Sequence, residues 1–209
     1  MIIVHHLNNS KSQRILWLLE ELGLDYEIKA YKRLPSGLAP PEMQNIHPLG
    51  KAPIVEIDGV VMAESGGVVQ YVLERHSSGR LMPDRASPEY PKFLELLHYA
   101  EGSISPPVIM VLLSNLMKVD NPTFTGMTEN MVRTHLGFVE TLLIDHDYLV
   151  GNEFTAADLQ ITFILQMASG QGLLESRPRL REYVTRMESR PAYKRALEKG
   201  GPFNVSFGR

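Results

Sequence analysis

Residues 2–31 read IIVHHLNNSKSQRILWLLEELGLDYEIKAY, and this stretch decides the first half of the fold. Residues 2–7 form a short apolar run with β-branched members, as a buried strand requires. Ile15, Leu18, Leu19 and Leu22 then recur at helical spacing. Gly23 follows, where a helix commonly ends in a left-handed residue. Tyr26, Ile28 and Ala30 alternate with Glu27, Lys29 and Tyr31, the pattern of a half-exposed strand. Two strands around a helix make a βαβ unit, whose crossover is expected to be right-handed.

Downstream the periodicity changes. A loop dense in Pro and Gly covers residues 34–41, a short helical segment follows near Glu42–Ile46, and His47–Pro53 is another breaker cluster. Ile54–Ile57 and Val60–Met62 flank Asp58-Gly59, a two-residue hairpin signal, because both central turn positions need positive φ. Glu64-Ser65-Gly66 opens a helix carrying Val68, Val69, Val72 and Leu73. The order is βαβ, a connection, then ββα. A hairpin cannot extend a purely parallel sheet, so a mixed four-stranded sheet is predicted.

Residues 77–91 hold Ser-Ser-Gly and three prolines and read as a linker; everything after them patterns as helix. The predicted organisation is an α/β domain over 1–77, a linker over 78–90 and an all-helical domain over 91–209. Phe93, Leu96, Leu97, Ala100 and Ile104 form one stripe, and Pro106-Pro107 should kink or break that helix. Thr155 and Asp158 have capping-box spacing, with Phe154 and Leu159 placed as a hydrophobic staple. That is a folding element with no catalytic role. The charge-rich stretch from Arg177 to Arg195 reads as solvated helix faces.

Composition narrows the chemistry. The 209 residues are 44% hydrophobic, enough for an ordinary core, and the net charge of −3 gives no reason to expect nucleic acid. There is no cysteine, which excludes disulfides, thiolate-ligated zinc and a cysteine nucleophile. No uninterrupted apolar run reaches membrane-spanning length and no signal peptide is visible, so a soluble, cytoplasmic protein is expected. His5 and His6 are adjacent in a strand and point to opposite faces, so they cannot easily share a metal. The other histidines are scattered, and all seven are expected to be solvated or structural.

Three sites are ambiguous when read singly. Asn9, Ser10 and Ser12 stand before a helix, where unpaired N–H groups and a partial positive charge favour an anion. Read alone, Ser10 or Ser12 is simply an N-cap. Glu64-Ser65 fits a zwitterionic α-amino acid group, or a cap beside a solvated acid. Ala52-Pro53 could carry a cis peptide.

Taken together, in this order, they carry a resemblance. The ordered set is strand–Ser–helix, Gly50-Lys51-Ala52-Pro53 heading a hairpin, Glu64-Ser65 heading a helix, then a helical half containing Gly151–Asp158. With Pro40-Pro41-Glu42, His47–Lys51, Ala63–Gly66 and Glu101–Ser103, the chain resembles the glutathione S-transferases, closest to bacterial and fungal Ser-type members. The resemblance implies a thioredoxin-like first domain, a homodimer, and glutathione as co-substrate with no metal. It implies that Glu64 and Ser65 hold the γ-glutamyl group, that the Ala52 backbone before Pro53 pairs with the cysteinyl residue, and that Lys51 approaches the glycyl carboxylate. Ser10, or else its neighbours Asn9 or Ser12, would face the sulfur. Tyr99, Ser103 and Ser105-Pro106-Pro107 are expected to line a pocket for a small hydrophobic electrophile. The expected activity is conjugation in detoxification. Peroxide reduction, isomerisation on the same site, or a non-enzymatic binding module are the rivals, since a fold does not specify a function.

Overall fold

A computed structural model of the chain describes residues 1–203. They form β1 (Ile2–Leu7), α1 (Ser12–Leu22), β2 (Tyr26–Tyr31), a 3-10 turn (Pro41–Asn45), β3 (Ile54–Ile57), β4 (Val60–Ala63) and α2 (Ser65–His76). Then come α3 (Tyr90–Tyr99), a π-helical turn (Ala100–Ile104), α4 (Ser105–Met117), α5 (Pro122–Leu142), α6 (Ala156–Gly170), α7 (Pro178–Glu188) and α8 (Pro191–Gly200). The described chain divides into two compact units, one of residues 1–80 with 188–203, the other Leu81–Met187. The division falls inside the expected linker. It also moves α8, expected in the helical domain, into the first unit.

The first unit is built on a mixed sheet of order β2-β1-β3-β4, with β1 and β2 parallel and both other pairs antiparallel. The Asp58-Gly59 turn has positive φ at both residues, 50° and 79°, as the hairpin signal demanded. One sheet face packs Val4, Val55 and Ile57 with the apolar sides of α1 and α2. The other carries Leu7 and Ile54 against Met43 of the 3-10 turn.

Helix α8 is held on α1 by side chains from the stretch read as solvated, together with Lys199 beyond it. Arg195 and Lys199 reach Glu20 at 2.8 and 2.5 Å, Arg190 reaches Glu21 at 2.6 Å, and Tyr193 meets Trp17 edge to face at 5.0 Å. The Tyr193 ring buries, while Arg195 and Lys199 stay exposed and the charged heads find two acids on one turn of α1. Sequence periodicity shows an amphipathic helix but not the surface that receives it.

In the second unit, the expected break at Pro106-Pro107 does not occur. The run Tyr90–Met117 stays helical and widens to a π turn just before the prolines. Each proline removes the N–H that would bond four residues back, to Gly102 and Ser103, and the wider turn accommodates the loss. This run is long and apolar enough to cross a membrane on length and composition. Here it buries Phe93, Leu96, Leu97, Ala100, Ile104 and Val108 in the core of the unit. The capping box forms as spaced: the Thr155 N–H donates to Asp158 Oδ2 at 2.9 Å.

Candidate functional site

The strand register brings separate parts of the sequence to one end of the sheet. β1 leaves its C-terminal end at Leu7, opposite Tyr31 of the parallel β2. His5 of β1 faces Ile54, the first residue of the antiparallel β3, and Ile54 faces Ala63, the last residue of β4. The segments that leave or enter at that end are therefore Asn8–Lys11, Lys32-Arg33, Ala52-Pro53 and Glu64-Ser65. Three of these are the three ambiguous sites. Alternating strand direction assembles them; none lies near another in sequence.

Each has its own geometry. Ala52-Pro53 is a cis peptide. Lys51 is exposed, and Ala52 is half-buried. Glu64 is exposed with φ 68° and ψ 108°, an uncommon conformation for a residue without glycine's freedom. Ser65 is buried and is the first residue of α2, not its N-cap; Glu64 occupies that position and makes no side-chain cap. The N-terminus of α2 thus lacks an internal side-chain acceptor, as an anion-binding helix end should.

The β1–α1 turn is the opposite. Lys11 is the N-cap of α1, without a side-chain cap, and the work expected of a cap is done one residue earlier. Ser10 Oγ accepts from the Ser12 N–H at 3.2 Å and donates toward the Leu7 carbonyl at 2.7 Å. It also lies 2.7 Å from Ser12 Oγ. Ser12 is wholly buried, and its hydroxyl meets His6 Nδ1 at 2.8 Å. Asn9 sits at φ 50°, half-buried.

Two residues to which the sequence assigned no part in the site organise this end of the sheet. Arg33 donates from Nε to the Asn8 carbonyl, from one terminal nitrogen to Gly37 and from the other to Asn9, at 3.1, 2.7 and 2.9 Å. Its own N–H donates to Asn8 Oδ1 at 2.8 Å. Burial draws the Arg33 guanidinium below its ordinary range. One side chain thereby ties the β1–α1 turn to the loop after β2. The only sequence signal was a lone arginine after a strand. The other residue is His6. Both adjacent histidines do point to opposite faces, and of the solvated and structural alternatives both take the structural one: His5 bonds Tyr31 and Glu56, and His6 bonds Ser12 and the Gly200 carbonyl.

In the second unit, the Tyr99 hydroxyl lies 2.9 Å from His135 Nδ1 and 3.3 Å from the His135 carbonyl, so it is engaged with α5. Burial raises the Tyr99 phenol. Ser103 sits half-buried in the π turn, and Ser105 opens α4 with its hydroxyl buried and unbonded among the described residues. Among the described residues no group of three or more His, Asp or Glu is placed to hold a metal.

Known proteins share this architecture and sequence. The family model for the glutathione S-transferase N-terminal domain matches residues 4–80, and that for the C-terminal domain matches residues 108–200. Glutathione S-transferase 3 of Schizosaccharomyces pombe is 31% identical, covering 95% of this chain and 88% of the relative. Glutathione S-transferase 1 of Saccharomyces cerevisiae is 29% identical, covering 99% and 98%. A crystal structure of a glutathione S-transferase from Actinobacillus pleuropneumoniae superposes with a TM-score of 0.92 at 33% identity, over 100% of this chain and 97% of that one. A sphingomonad glutathione S-transferase solved with glutathione shares the fold, with a TM-score of 0.77 at 20% identity over 95% and 98%. The chain belongs to the glutathione S-transferase family.

Proposed function

We propose that the chain is a glutathione transferase that joins the glutathione thiol to a small hydrophobic electrophile. The observation that carries this is the register that collects Ser10, Ala52-Pro53 and Glu64-Ser65 at one end of a sheet in a chain of this family. Glu64 takes the γ-glutamyl ammonium, and Ser65 with the first N–H groups of α2 takes its carboxylate. The Ala52 backbone pairs with the cysteinyl residue and Lys51 meets the glycyl carboxylate. Ser10 faces the sulfur. A free thiol titrates near pH ~8.5, so the task at neutral pH is to favour the thiolate. Each unit of lowering corresponds to about 1.4 kcal/mol, within reach of one donated hydroxyl bond and the α1 N-terminus.

The electrophile is assigned to the helical unit, near the π turn with Ser103 and Ser105; Tyr99 contributes its ring while its hydroxyl holds α5. Detoxification of such electrophiles is the role this chemistry serves, in the cytoplasm. A homodimer completes the proposal, and β4, an edge strand with exposed Val60 and Val61, offers an apolar surface that a second copy would cover.

Calorimetric titration with glutathione, followed by assays of chlorodinitrobenzene conjugation and hydroperoxide reduction, tests this reading. Binding and conjugation are expected. No binding at millimolar glutathione sinks the enzyme; binding with peroxide reduction alone replaces the reaction; binding with no turnover leaves a binding module. Light scattering of the eluted chain reports the dimer.

A further inference from the structure

The serines before α1 belong to a chain of hydrogen bonds that ends on a buried ring. His6 Nε2 lies 2.9 Å from the Gly200 carbonyl, which can only accept, so Nε2 carries a hydrogen. Burial pulls the imidazole below its ordinary range, opposed in part by that carbonyl, and no charged group pairs with the ring among the described residues. The ring is neutral at rest and Nδ1 is a bare acceptor, a tautomer assigned from its partners. Ser12 must then donate across its 2.8 Å contact with Nδ1. Ser12 Oγ has no second proton, so Ser10 is the donor across their 2.7 Å contact, sharing its proton with the Leu7 carbonyl. In the free protein every hydroxyl therefore points inward, from the sulfur site toward the ring.

A thiolate needs the reverse, because Ser10 must donate outward. Moving one proton along the chain achieves that reversal. We propose that His6 is the internal base that takes the glutathione thiol proton through Ser10 and Ser12. The S–H bond breaks and its proton goes to Ser10 Oγ; the Ser10 proton passes to Ser12 Oγ; the Ser12 proton passes to His6 Nδ1. The electron pair stays on sulfur and nothing is oxidised or reduced. The product state has Nδ1–H donating to Ser12, Ser12 to Ser10 and Ser10 to the thiolate. When the thioether has formed, the same path returns the proton to the site, where it neutralises the leaving anion. This inference rests on the reading that glutathione binds with its sulfur at Ser10.

The surroundings suit the role. Ser10, Ser12 and His6 are 6%, 0% and 3% exposed, so the path is shielded from water. Besides β1, the ring meets α1 through Ser12 and α8 through Gly200. The first offers a hydroxyl, the second a carbonyl that bonds the imidazolium as well as the neutral ring. Gly200 permits that approach. A Cβ there would stand 2.4 Å from Leu16 Cδ1, 3.0 Å from Gln13 Oε1 and 3.3 Å from His6 Nε2. Transfer from a free thiol to a buried imidazole is uphill. The outward Ser10 bond, the α1 N-terminus and the attraction between thiolate and imidazolium at low dielectric offset that cost. The Ser12–His6 pair is not a hydrolase nucleophile, because Ser12 has no exposed surface.

The test counts protons. Glutathione is titrated into the full chain near neutral pH, with thiolate absorption recorded and calorimetry repeated in buffers of different ionisation enthalpy. The native protein is expected to form thiolate while releasing far less than one proton to the medium for each. His6→Gln keeps a donor for the Gly200 carbonyl, and His6→Asn keeps an acceptor for Ser12, but neither amide can hold the proton. Both are expected to release a full proton per thiolate and to lose about a hundredfold in kcat, with KM for glutathione nearly unchanged. A structural role alone would lower the melting temperature and leave the proton count where it was. Should the variants not fold, nitrogen NMR of the native His6 decides, with Nδ1 expected to gain a proton as thiolate forms. Full proton release by the native protein, or an unprotonated Nδ1 in the thiolate complex, overturns the relay and leaves the transferase reading intact. Absence of glutathione binding overturns both.

Discussion

Two buried polar networks, one in each unit, are wired differently. Around Asp158 everything converges. The N–H groups of Leu149 and Thr155, the Thr155 hydroxyl and the Tyr183 hydroxyl all donate to its two oxygens, at 2.8 to 3.0 Å. Around Ser10 the bonds run in series, from Ser10 to Ser12 to His6 to Gly200. A convergent network has one occupied centre and nothing to rearrange, so it holds the fold. A serial network has two directions in which its protons can point, so it can transmit a change at one end to the other.

Cutting each network at its centre sharpens the contrast. Asp158→Ala leaves four buried donors without their acceptor and is expected to cost about 3 kcal/mol in denaturant unfolding, with glutathione affinity of any folded protein retained. A loss below about 1 kcal/mol would break the claim that this centre holds the helical unit. Ser10→Ala removes the outward donor. Conjugation is expected to fall about a hundredfold in kcat/KM, with about 1 kcal/mol of stability lost because the Ser12 N–H loses its acceptor, and an unaltered rate moves the sulfur contact to Asn9. Gly200→Ala drives a methyl group into Leu16 and displaces the carbonyl that anchors His6. It should cost about 2 kcal/mol and reduce conjugation as well, whereas a change of the same size elsewhere on α8 should affect stability alone.

The smallest effect separates charge from wiring. Burial pushes the Glu20 carboxyl up, but hydrogen bonds from Lys199, Arg195 and Tyr26 outweigh it and hold the group at about 2. Its folded value lies below its unfolded value, so the stability it contributes is present above about pH 4.5. That contribution is lost as pH falls from there through about 2. Glu20→Gln should lower stability at neutral pH by about 1 kcal/mol and flatten this acid limb in thermal melts. An acid limb identical to the native one would remove Glu20 from the α1–α8 clamp.

His6 acts in the other direction. A base whose folded value is depressed destabilises the fold once pH drops below its unfolded value, near 6.5, because the unfolded chain then binds the proton more readily. The free protein should therefore lose stability below about pH 6.5, and saturating glutathione should weaken that loss if the ring is already protonated in the complex.

Much of this molecule is legible in the chain alone. Hydrophobic period marks the βαβ and ββα order, Asp58-Gly59 marks the hairpin, and Thr155 with Asp158 marks the capping box, because each is a local rule acting over a few residues. The site segments were legible as an ordered set, since their residue types and sequence order survive without coordinates. The roles of His6 and Arg33 were not, because a buried histidine and a surface one are the same letter, and the distant partners, Gly200 for His6 and Asn8 and Asn9 for Arg33, lie 194, 25 and 24 residues away. Nor could periodicity say that α8 returns to the first unit, or that two prolines are absorbed by a π turn.

The quoted stretch 2–31 thus determined a strand, a polar turn, a helix and a strand, since local propensity and burial pattern suffice for that. Ser10 accepts from the Ser12 N–H whichever way its own proton points; under the proposed relay, that direction decides whether it can donate to a sulfur. That direction is set by a ring on β1 and a carbonyl at the end of α8, which only the folded chain brings together.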